Sequence, residues 1–427
     1  MWRYSFVMTL RSLLRTLACR LWGRVVMLPA LLRNERSATV LNAYVGRRAG
    51  KLGVRVAPDA TRLRTLPPGA TLLGKDELRQ DPGRHVRPRR PGSLLRNTIR
   101  TSGTSGTPLT LVQAFGAVVR EEAFVHRQLR WIGWRPGQRR AWIRGDIVCG
   151  DHPANGRYWC HDLAGKRLMM SSYHLSSATI GAYIAALQAY DPVVIQAYPS
   201  SIAALANWLE AAGRRYAGTA LKGVMTSSET LEPAVRAAVT RAFGVAVFDW
   251  YGQAERVAAI GTCEQGRYHV LTDYAGVELL PATDGRSELV GTSLNNAAMP
   301  LSRYRTGDSV IPGHACACPC GRVFPTVDAV IGRQERIVTL PDGRMVARLD
   351  RVFQGHDRHL LEGQVQYHGQ ARFTLRVVAT GSFTERDATA LRASFLLRVP
   401  GVQVAVERVD AIPRGPNGKF EFISVQS

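Results

Sequence analysis

The sequence predicts an α/β fold with a large N-terminal domain, residues 1–331, and a small α+β C-terminal domain, residues 332–427. An apolar segment at 221–225, a helical pattern at 232–243 and a second apolar segment at 245–250 follow one another, as in a crossover between parallel strands. After about residue 332 the sequence changes to hairpin-like and alternating segments, which indicates a second, smaller unit. With 427 residues, 45% of them hydrophobic, the chain is long enough for two domains with buried cores.

Periodicity and capping signals predict the other elements of the large domain. Residues 1–32 are expected to contain a basic, amphipathic helix, because their apolar runs are far shorter than the roughly 18 residues of a membrane span. We expect this helix to rest on the large domain, and peripheral membrane attachment is the alternative. Further helices are predicted at 117–131, 180–190 and 200–212, the last one ended by Gly213.

The C-terminal domain is predicted from a turn and three periodic segments. Pro341-Asp342-Gly343 is a turn sequence inside a hairpin-like stretch at 337–346. Strands are expected at 371–380 and 402–409, with a helix at 385–397 between them. Together they predict a compact α+β unit.

The chain is strongly basic, with 56 Lys and Arg residues against 33 Asp and Glu residues and a net charge of +23. Only five of the basic residues are lysines. Such an excess is compatible with nucleic acid, an anionic membrane surface or anionic substrates, and equally with a solvated, arginine-rich surface. No helix-turn-helix, zinc-finger or aromatic–basic RNA-binding motif accompanies the charge, so we expect no nucleic-acid partner.

The cysteines indicate a reducing, cytoplasmic location. Their number, seven, is odd, and Cys316, Cys318 and Cys320 are too closely spaced for a disulfide framework. Cys263 and His269 form a separate Cys-x₅-His pair. Tetrahedral zinc takes four such ligands. Because the usual C-x₂-C pairs are absent, free thiols in a loop remain the alternative.

A hydroxyl-rich loop at residues 101–107 is the first chemical signal. It consists of Thr101, Ser102, Gly103, Thr104, Ser105, Gly106 and Thr107. Its glycines allow backbone N–H groups to point inward and its hydroxyls add donors, an arrangement that suits phosphate oxygens. The loop lacks the G-x-x-x-x-G-K-[ST] pattern of P-loop proteins, and alone it is more often a plain surface loop.

Four motifs follow this loop in order. They are Tyr251-Gly-Gln-Ala-Glu255, Tyr304-Arg-Thr-Gly-Asp308, Gly332-Arg333 and Gly418-Lys419. With the loop, they resemble the adenylate-forming superfamily of acyl-CoA synthetases, peptide-synthetase adenylation domains and luciferases. The resemblance is greatest to the phenylacetate–CoA ligase family with its CapK-like members, and it extends from about residue 75 to the C-terminus.

This resemblance implies where a nucleotide would bind. The hydroxyl-rich loop would hold the triphosphate of ATP. Adenine would lie against Ser227, Ser228, Glu229, Tyr251 and Gly252. Asp308 would accept hydrogen bonds from the ribose hydroxyls, for which the two oxygens of a carboxylate are suited. Arg333 would contact the nucleotide near the hinge between the domains.

The resemblance also implies the catalytic residues. Glu255 would bind Mg²⁺, and Lys419 would bridge the substrate carboxylate and the α-phosphate. A carboxylate that attacks a phosphate brings anions together, so the site must supply cations where charge develops. The C-terminal domain is expected to be mobile, turning about Glu335 and withdrawing Lys419 after the first half-reaction.

Two further sites are implied by the resemblance. The acyl group would lie near Tyr198, Trp250 and Ala254. Because several relatives carry Cys…His and Cys-Pro-Cys-Gly at these positions and some hold zinc, a structural zinc ion is expected at Cys263, His269, Cys318 and Cys320. Cys316 or His314 could substitute for one of these ligands.

The expected function is ATP-dependent activation of a carboxylic acid to an acyl-adenylate, with release of pyrophosphate and then acyl transfer to a thiol. Coenzyme A is the first candidate for that thiol, and an aromatic acid is a candidate substrate. One alternative is transfer to a carrier protein, an amine or a sugar hydroxyl in polysaccharide or secondary-metabolite biosynthesis. Another is a non-catalytic nucleotide-binding or membrane-associated scaffold.

Overall fold

A computed structural model of the chain describes residues 19–89, 93–101, 109–146, 148–149, 156–162, 166–176, 178–313, 317–331, 338–346, 349–353, 360–379, 383–410, 412 and 422–425. The chain divides into two compact units. The first unit comprises Met1–Ile99, Leu111–Gly133 and Trp250–Ile331, and the second comprises Arg100–Thr110, Trp134–Asp249 and Gly332–Ser427. The division into domains at residues 331 and 332 stays a prediction.

The described residues contain eight α-helices and 21 strands, joined by turns and loops. The helices are α1 (Leu28–Asn34), α2 (Ala38–Leu52), α3 (Lys75–Gln80), α4 (Phe115–Trp131), α5 (Ile180–Tyr190), α6 (Pro199–Ala211), α7 (Pro233–Phe243) and α8 (Glu385–Leu396), with a π-helical segment at Cys19–Met27 and 3₁₀ turns at Gly83–His85 and Leu349–Phe353. The strands are β1 (Arg64–Thr65), β2 (Arg96–Thr101), β3 (Leu109–Ala114), β4 (Arg140–Arg144), β5 (Trp159–Asp162), β6 (Arg167–Ser171), β7 (Val194–Ala197), β8 (Gly223–Ser227), β9 (Val247–Gly252), β10 (Ala259–Thr262), β11 (Tyr268–Val270), β12 (Ala275–Pro281), β13 (Ser287–Ser293), β14 (Tyr304–Pro312), β15 (Thr326–Ile331), β16 (Val338–Thr339), β17 (Met345–Val346), β18 (Leu360–Tyr367), β19 (Arg372–Ala379), β20 (Gln403–Arg408) and β21 (Ile423–Val425).

The first unit contains a largely antiparallel sheet in the order β1-β12-β13-β14-β15-β11-β10. Its strand pairs are antiparallel except for β1 with β12. Strand β10 also pairs with the last three residues of β9. Behind this sheet, the buried Arg127 of α4 forms an ion pair with the buried Asp273, with 2.7 Å between Nη1 and Oδ2. This pair ties α4 to the connection between β11 and β12.

The second unit contains parallel strands covered by helices. The strand order is β8-β7-β4-β6-β5, and every pair is parallel except β5 with β6. Helices α5 to α7 bury side chains such as Tyr183, Leu205 and Val239 against Ile143 and Ile195 of the strands. The predicted α/β class with mixed sheets is confirmed.

The C-terminal part of the second unit is built on a four-stranded sheet in the order β20-β19-β18-β21. Helix α8 buries Leu391 and Phe395 in a core with Phe373 and Leu375 of β19. A capping box between Thr384 and the side chain of Asp387 begins this helix.

Within the described part of the chain, none of the helices combines the length and the apolar character that crossing a membrane requires.

Candidate functional site

The end of β9 and the middle of β14 place a tyrosine beside a carboxylate in the first unit. The Tyr251 hydroxyl donates a hydrogen bond to Asp308 Oδ2 at 2.7 Å. Loss of solvation around this hydroxyl, together with the nearby carboxylates of Asp308 and Glu255, raises the pKa of Tyr251 well above its usual value. Tyr251 therefore keeps its proton at neutral pH and orients the Asp308 carboxylate.

The Thr306-Gly307-Asp308 turn is fixed by local hydrogen bonds. Thr306 Oγ1 donates to the carbonyl oxygen of Leu289 at 2.8 Å and accepts from the N–H of Asp308 at 3.0 Å. Gly307 has a φ of 73°, a conformation that side chains disfavour, and its N–H donates to Glu288 Oε1 at 3.0 Å. The glycine thus lies where the pairing of β14 with β13 becomes irregular, directly before Asp308.

The carboxylate of Glu255 is held by a tyrosine of the other motif. The hydroxyl of Tyr304, at the start of β14, donates to Glu255 Oε1 at 3.2 Å. The turn that carries Glu255 is anchored because Gln113 Nε2 donates to the carbonyl oxygen of Ala254 at 3.0 Å. Each of the two motifs therefore supplies the tyrosine that holds the carboxylate of the other.

In the second unit, Ser227, Ser228 and Glu229 follow β8. Ser228 has a φ of 72°, and its hydroxyl accepts a hydrogen bond from Arg144 Nη2 at 2.6 Å. The Glu229 carboxylate accepts hydrogen bonds from the backbone N–H and the hydroxyl of Ser200, at 2.9 and 3.0 Å. Ser200 is in the first turn of α6, where free N–H groups and the helix dipole favour a negative charge. Glu229 therefore caps α6.

Replacing Glu229 by alanine is expected to lower the free energy of unfolding by about 1–2 kcal/mol, because Ser200 would lose its acceptor. Urea denaturation followed by circular dichroism measures this loss. Glu232→Ala is the matched control, since Glu232 is exposed and its side chain makes no capping hydrogen bond to α7. Equal losses in both variants would contradict the capping role.

In the second unit, three neighbouring parallel strands each have a polar residue at or just beyond the carboxyl end. Arg144 ends β4, Tyr198 follows β7 and Ser228 follows β8. The Arg144 guanidinium lies 5.5 Å from the centre of the Tyr198 ring. Among the described residues, the buried Tyr198 hydroxyl has no hydrogen-bond partner. In open parallel sheets, ligands bind at this edge. The sequence analysis missed Arg144 because its place at this edge depends on strand order, which a single sequence does not reveal.

Cys263, His269, Cys318 and Cys320 form a buried cluster in the first unit, which we call the cysteine–histidine cluster. Cys263 directly follows β10, His269 lies in β11, and the connection between β14 and β15 supplies the other two residues. One potential ligand atom from each residue lies within 4.8 Å of all the others. The Sγ atoms of Cys263 and Cys318 are 3.7 Å apart, and Cys320 Sγ is 3.4 Å from His269 Nε2. Zn–S and Zn–N bonds of normal length in a tetrahedron give separations of about 3.5–3.8 Å.

The protonation of the cluster also suits a cation. His269 Nδ1 donates to the carbonyl oxygen of Phe324 at 3.3 Å, which directs Nε2 toward the thiols. Burial lowers the pKa of His269 to about 4 and raises the pKa of Cys263 to about 12. Although burial opposes it, hydrogen bonds from Arg322 and Cys318 lower the pKa of Cys320. A neutral imidazole together with cysteine sulfurs is a donor set that zinc takes, and a bound cation would stabilise the thiolate form of the cysteines.

The peptide around Cys320 is anchored to the end of α1. Arg36 Nη1 donates to the carbonyl oxygen of Cys320 at 2.7 Å, and the N–H of Val323 donates to the carbonyl oxygen of Glu35 at 3.0 Å. Arg322 forms an ion pair with Glu264 at 2.7 Å and stacks on the ring of Trp131. The connection that carries two of the four cluster residues is therefore firmly held.

Comparison with known proteins identifies relatives of this chain. No family model matches the chain. Protein CapK of Staphylococcus aureus is 21% identical over 238 residues, 56% of this chain and 52% of that protein. Phenylacetate-coenzyme A ligase of Thermus thermophilus is 26% identical over 253 residues, 56% of this chain and 55% of that protein. The chain thus spans about half the length of the curated relatives it matches.

A solved structure of 2-hydroxyisobutyryl-CoA ligase in complex with 2-HIB-AMP and CoA has a TM-score of 0.50 and 16% identity, covering 93% of this chain and 89% of that one. This similarity shows the fold, and with the sequence matches it confirms the resemblance predicted from the motifs. This chain is similar in sequence and fold to members of the adenylate-forming superfamily.

Some residues assigned from the superfamily motifs lie outside the described residues. Only the backbone of Thr101 is described, at the end of β2. Those outside are Ser102, Gly103, Thr104, Ser105, Gly106, Thr107, His314, Cys316, Arg333, Glu335 and Lys419. Of the acyl-pocket candidates, Trp250 is buried in β9, and Ala254 is half-buried beyond the end of that strand. The roles of all these residues stay predictions.

Proposed function

We propose that this chain activates a carboxylic acid with ATP, forms an acyl-adenylate with release of pyrophosphate, and then transfers the acyl group to a thiol. The observation that carries the proposal is the paired arrangement of Tyr251 with Asp308 and of Tyr304 with Glu255. The relatives named phenylacetate-coenzyme A ligase support an aromatic acid as substrate and coenzyme A as acceptor. The proposed enzyme is therefore an AMP-forming acid–thiol ligase.

Residues of the first unit would bind three different parts of ATP and its metal ion. The Asp308 carboxylate, oriented by Tyr251, would accept hydrogen bonds from the ribose hydroxyls. The Glu255 carboxylate is an oxygen ligand of the kind that Mg²⁺ prefers, and Tyr304 holds it in position. Bound Mg²⁺ would neutralise charge on the phosphates. Tyr251 and Gly252 would lie against the base.

The remaining parts of the reaction belong to residues outside the described ranges. The hydroxyl-rich loop would hold the phosphates with its N–H groups and hydroxyls. Lys419 would stabilise the charge that develops as the acid attacks the α-phosphate. Arg333 would contact the nucleotide, and residues 332–427 would turn about Glu335 to withdraw Lys419 before thiol attack.

We also propose that the cysteine–histidine cluster holds a structural zinc ion. Its four buried residues would complete a tetrahedron and leave no open position for a substrate or water. The ion would join the β10–β11 hairpin to the connection before β15, and it would take no part in the reaction. Reduced thiols of this kind fit the predicted cytoplasmic location.

Transfer to a carrier protein is a second candidate for the last step. The net charge of +23 favours it, because a basic surface attracts an acidic partner and speeds its docking. The phosphopantetheine arm of such a protein presents the same thiol as coenzyme A. Activation of the acid would be identical, and the acceptor alone would differ.

Exchange of labelled pyrophosphate into ATP tests the proposed activation. We expect exchange to rise at least about tenfold over background with one or more members of a panel of aromatic and aliphatic acids, and to require Mg²⁺. Mass spectrometry with coenzyme A or a phosphopantetheinylated carrier protein then identifies the acceptor. If the folded protein binds ATP but supports exchange with none of the acids, the proposed activation is wrong.

A further inference from the structure

The π-helical segment Cys19–Met27 exposes three apolar side chains on one side. Trp22, Val25 and Val26 are 58%, 67% and 52% exposed, and we call them the N-terminal ridge. They lie within five consecutive residues, about one turn of a π-helix. An indole and two isopropyl groups are thus presented together to solvent.

The other side of the segment is packed against α4. Gly23 is buried, and a Cβ atom placed there would lie 3.5 Å from the carbonyl oxygen of Val119 and 4.0 Å from Ala123 Cβ. Helix α1 follows directly and buries Leu28 and Leu31. This packing fixes the direction in which the N-terminal ridge points, so the ridge is a preformed surface.

The sequence around the N-terminal ridge is purely cationic. Residues 1–34 contain six arginines and no acidic residue. The first acidic residue is Glu35, which is buried and accepts a hydrogen bond from Trp131 Nε1 at 2.9 Å. Inside the first unit, the Glu35 carboxylate also lies near the guanidinium groups of Arg127 and Arg322. Its negative charge therefore does not offset the six arginines of residues 1–34.

We propose that the N-terminal ridge docks on the surface of a bilayer that contains anionic lipids. Tryptophan is favoured at the boundary between headgroups and acyl chains, and apolar side chains on a basic helix bury themselves there. Arginines nearby are attracted to anionic headgroups. A second copy of this chain would bring a second cationic segment against the first, so like charges oppose that occupant.

Co-sedimentation with vesicles tests this proposal. We expect the full-length protein to sediment with vesicles of phosphatidylcholine and phosphatidylglycerol, to stay in solution with phosphatidylcholine alone, and to lose binding as salt is raised. The triple variant Trp22→Ser, Val25→Ser, Val26→Ser should bind at least about tenfold more weakly. Val40→Ser, which changes an exposed valine on α2, is the matched control and should bind normally.

Four results would overturn the proposal. The first is no binding to either vesicle, and the second is equal binding by the triple variant, which would leave charge alone as the cause. The third is a lower melting temperature of the triple variant without vesicles, which would mean that residues 1–18 already cover the ridge. A dimer in size-exclusion chromatography that the triple variant abolishes would assign the ridge to a second copy instead. Each readout is independent of acid activation, so the proposal can fail without affecting the proposed function.

Discussion

Replacement of Lys419 by alanine is expected to reduce acid-dependent pyrophosphate exchange by about 10²–10³-fold, while the affinity for ATP changes by less than about threefold. The ammonium group would act where negative charge develops between the carboxylate and the α-phosphate, so its loss would raise the barrier more than it weakens ground-state binding. Exchange assays and equilibrium binding of ATP measure the two quantities separately.

The control for this experiment is Lys51→Ala, which removes an exposed lysine from α2 and should leave both quantities unchanged. Lys419→Arg should not restore exchange, because a planar guanidinium differs from an ammonium in reach and shape. If Lys419→Ala weakened ATP binding and exchange by the same factor, Lys419 would contribute to nucleotide binding and not to adenylation.

Zinc should be present at about one ion per chain, and Cys320→Ser should remove it and lower the free energy of unfolding by on the order of 3–5 kcal/mol. The cysteine–histidine cluster lies where two chain segments meet in the interior. Without the zinc ion, nothing would bind its buried sulfur atoms or link the two segments at this point. Elemental analysis gives the metal content, and urea denaturation gives the stability.

The exposed thiol of Cys160 provides the control, because Cys160→Ser should keep both the zinc and the stability. Cys263→Ser should behave like Cys320→Ser, since the two residues supply ligands from the two chain segments that the ion would join. A protein that contains no zinc and is unaffected by either cluster substitution would show that the residues are packed thiols.

Helices that end before a residue in the left-handed conformation, Asp191 after α5 and Gly244 after α7, were the most predictable elements of the fold. The expected helix at 180–190 coincides with α5, and α7 ends at Phe243, just before Gly244 in the left-handed conformation. Strand β8 was predicted two residues too early, because the apolar run begins at Leu221 whereas the strand ends in the buried polar residues Thr226 and Ser227. Apolar patterning cannot reveal a strand whose end is polar and buried.

The candidate site was predictable where its residues lie within motifs, and not where they meet across the fold. The sequence suggested Asp308, Glu255 and all four members of the cysteine–histidine cluster. It gave no sign that Glu229 would reach Ser200, or that Arg144 would reach Ser228, because each contact joins residues from separate crossovers. Such pairs depend on strand order, which one sequence does not reveal.

The reciprocal tyrosine–carboxylate contacts also have an evolutionary consequence. Damage to either motif would misalign the oxygens intended for the ribose as well as those intended for the metal, so the two motifs should be inherited and lost together. Selection for a new organic acid would then act mainly on residues outside this interlocked pair, which would let substrate preference diverge while the handling of ATP stays constant.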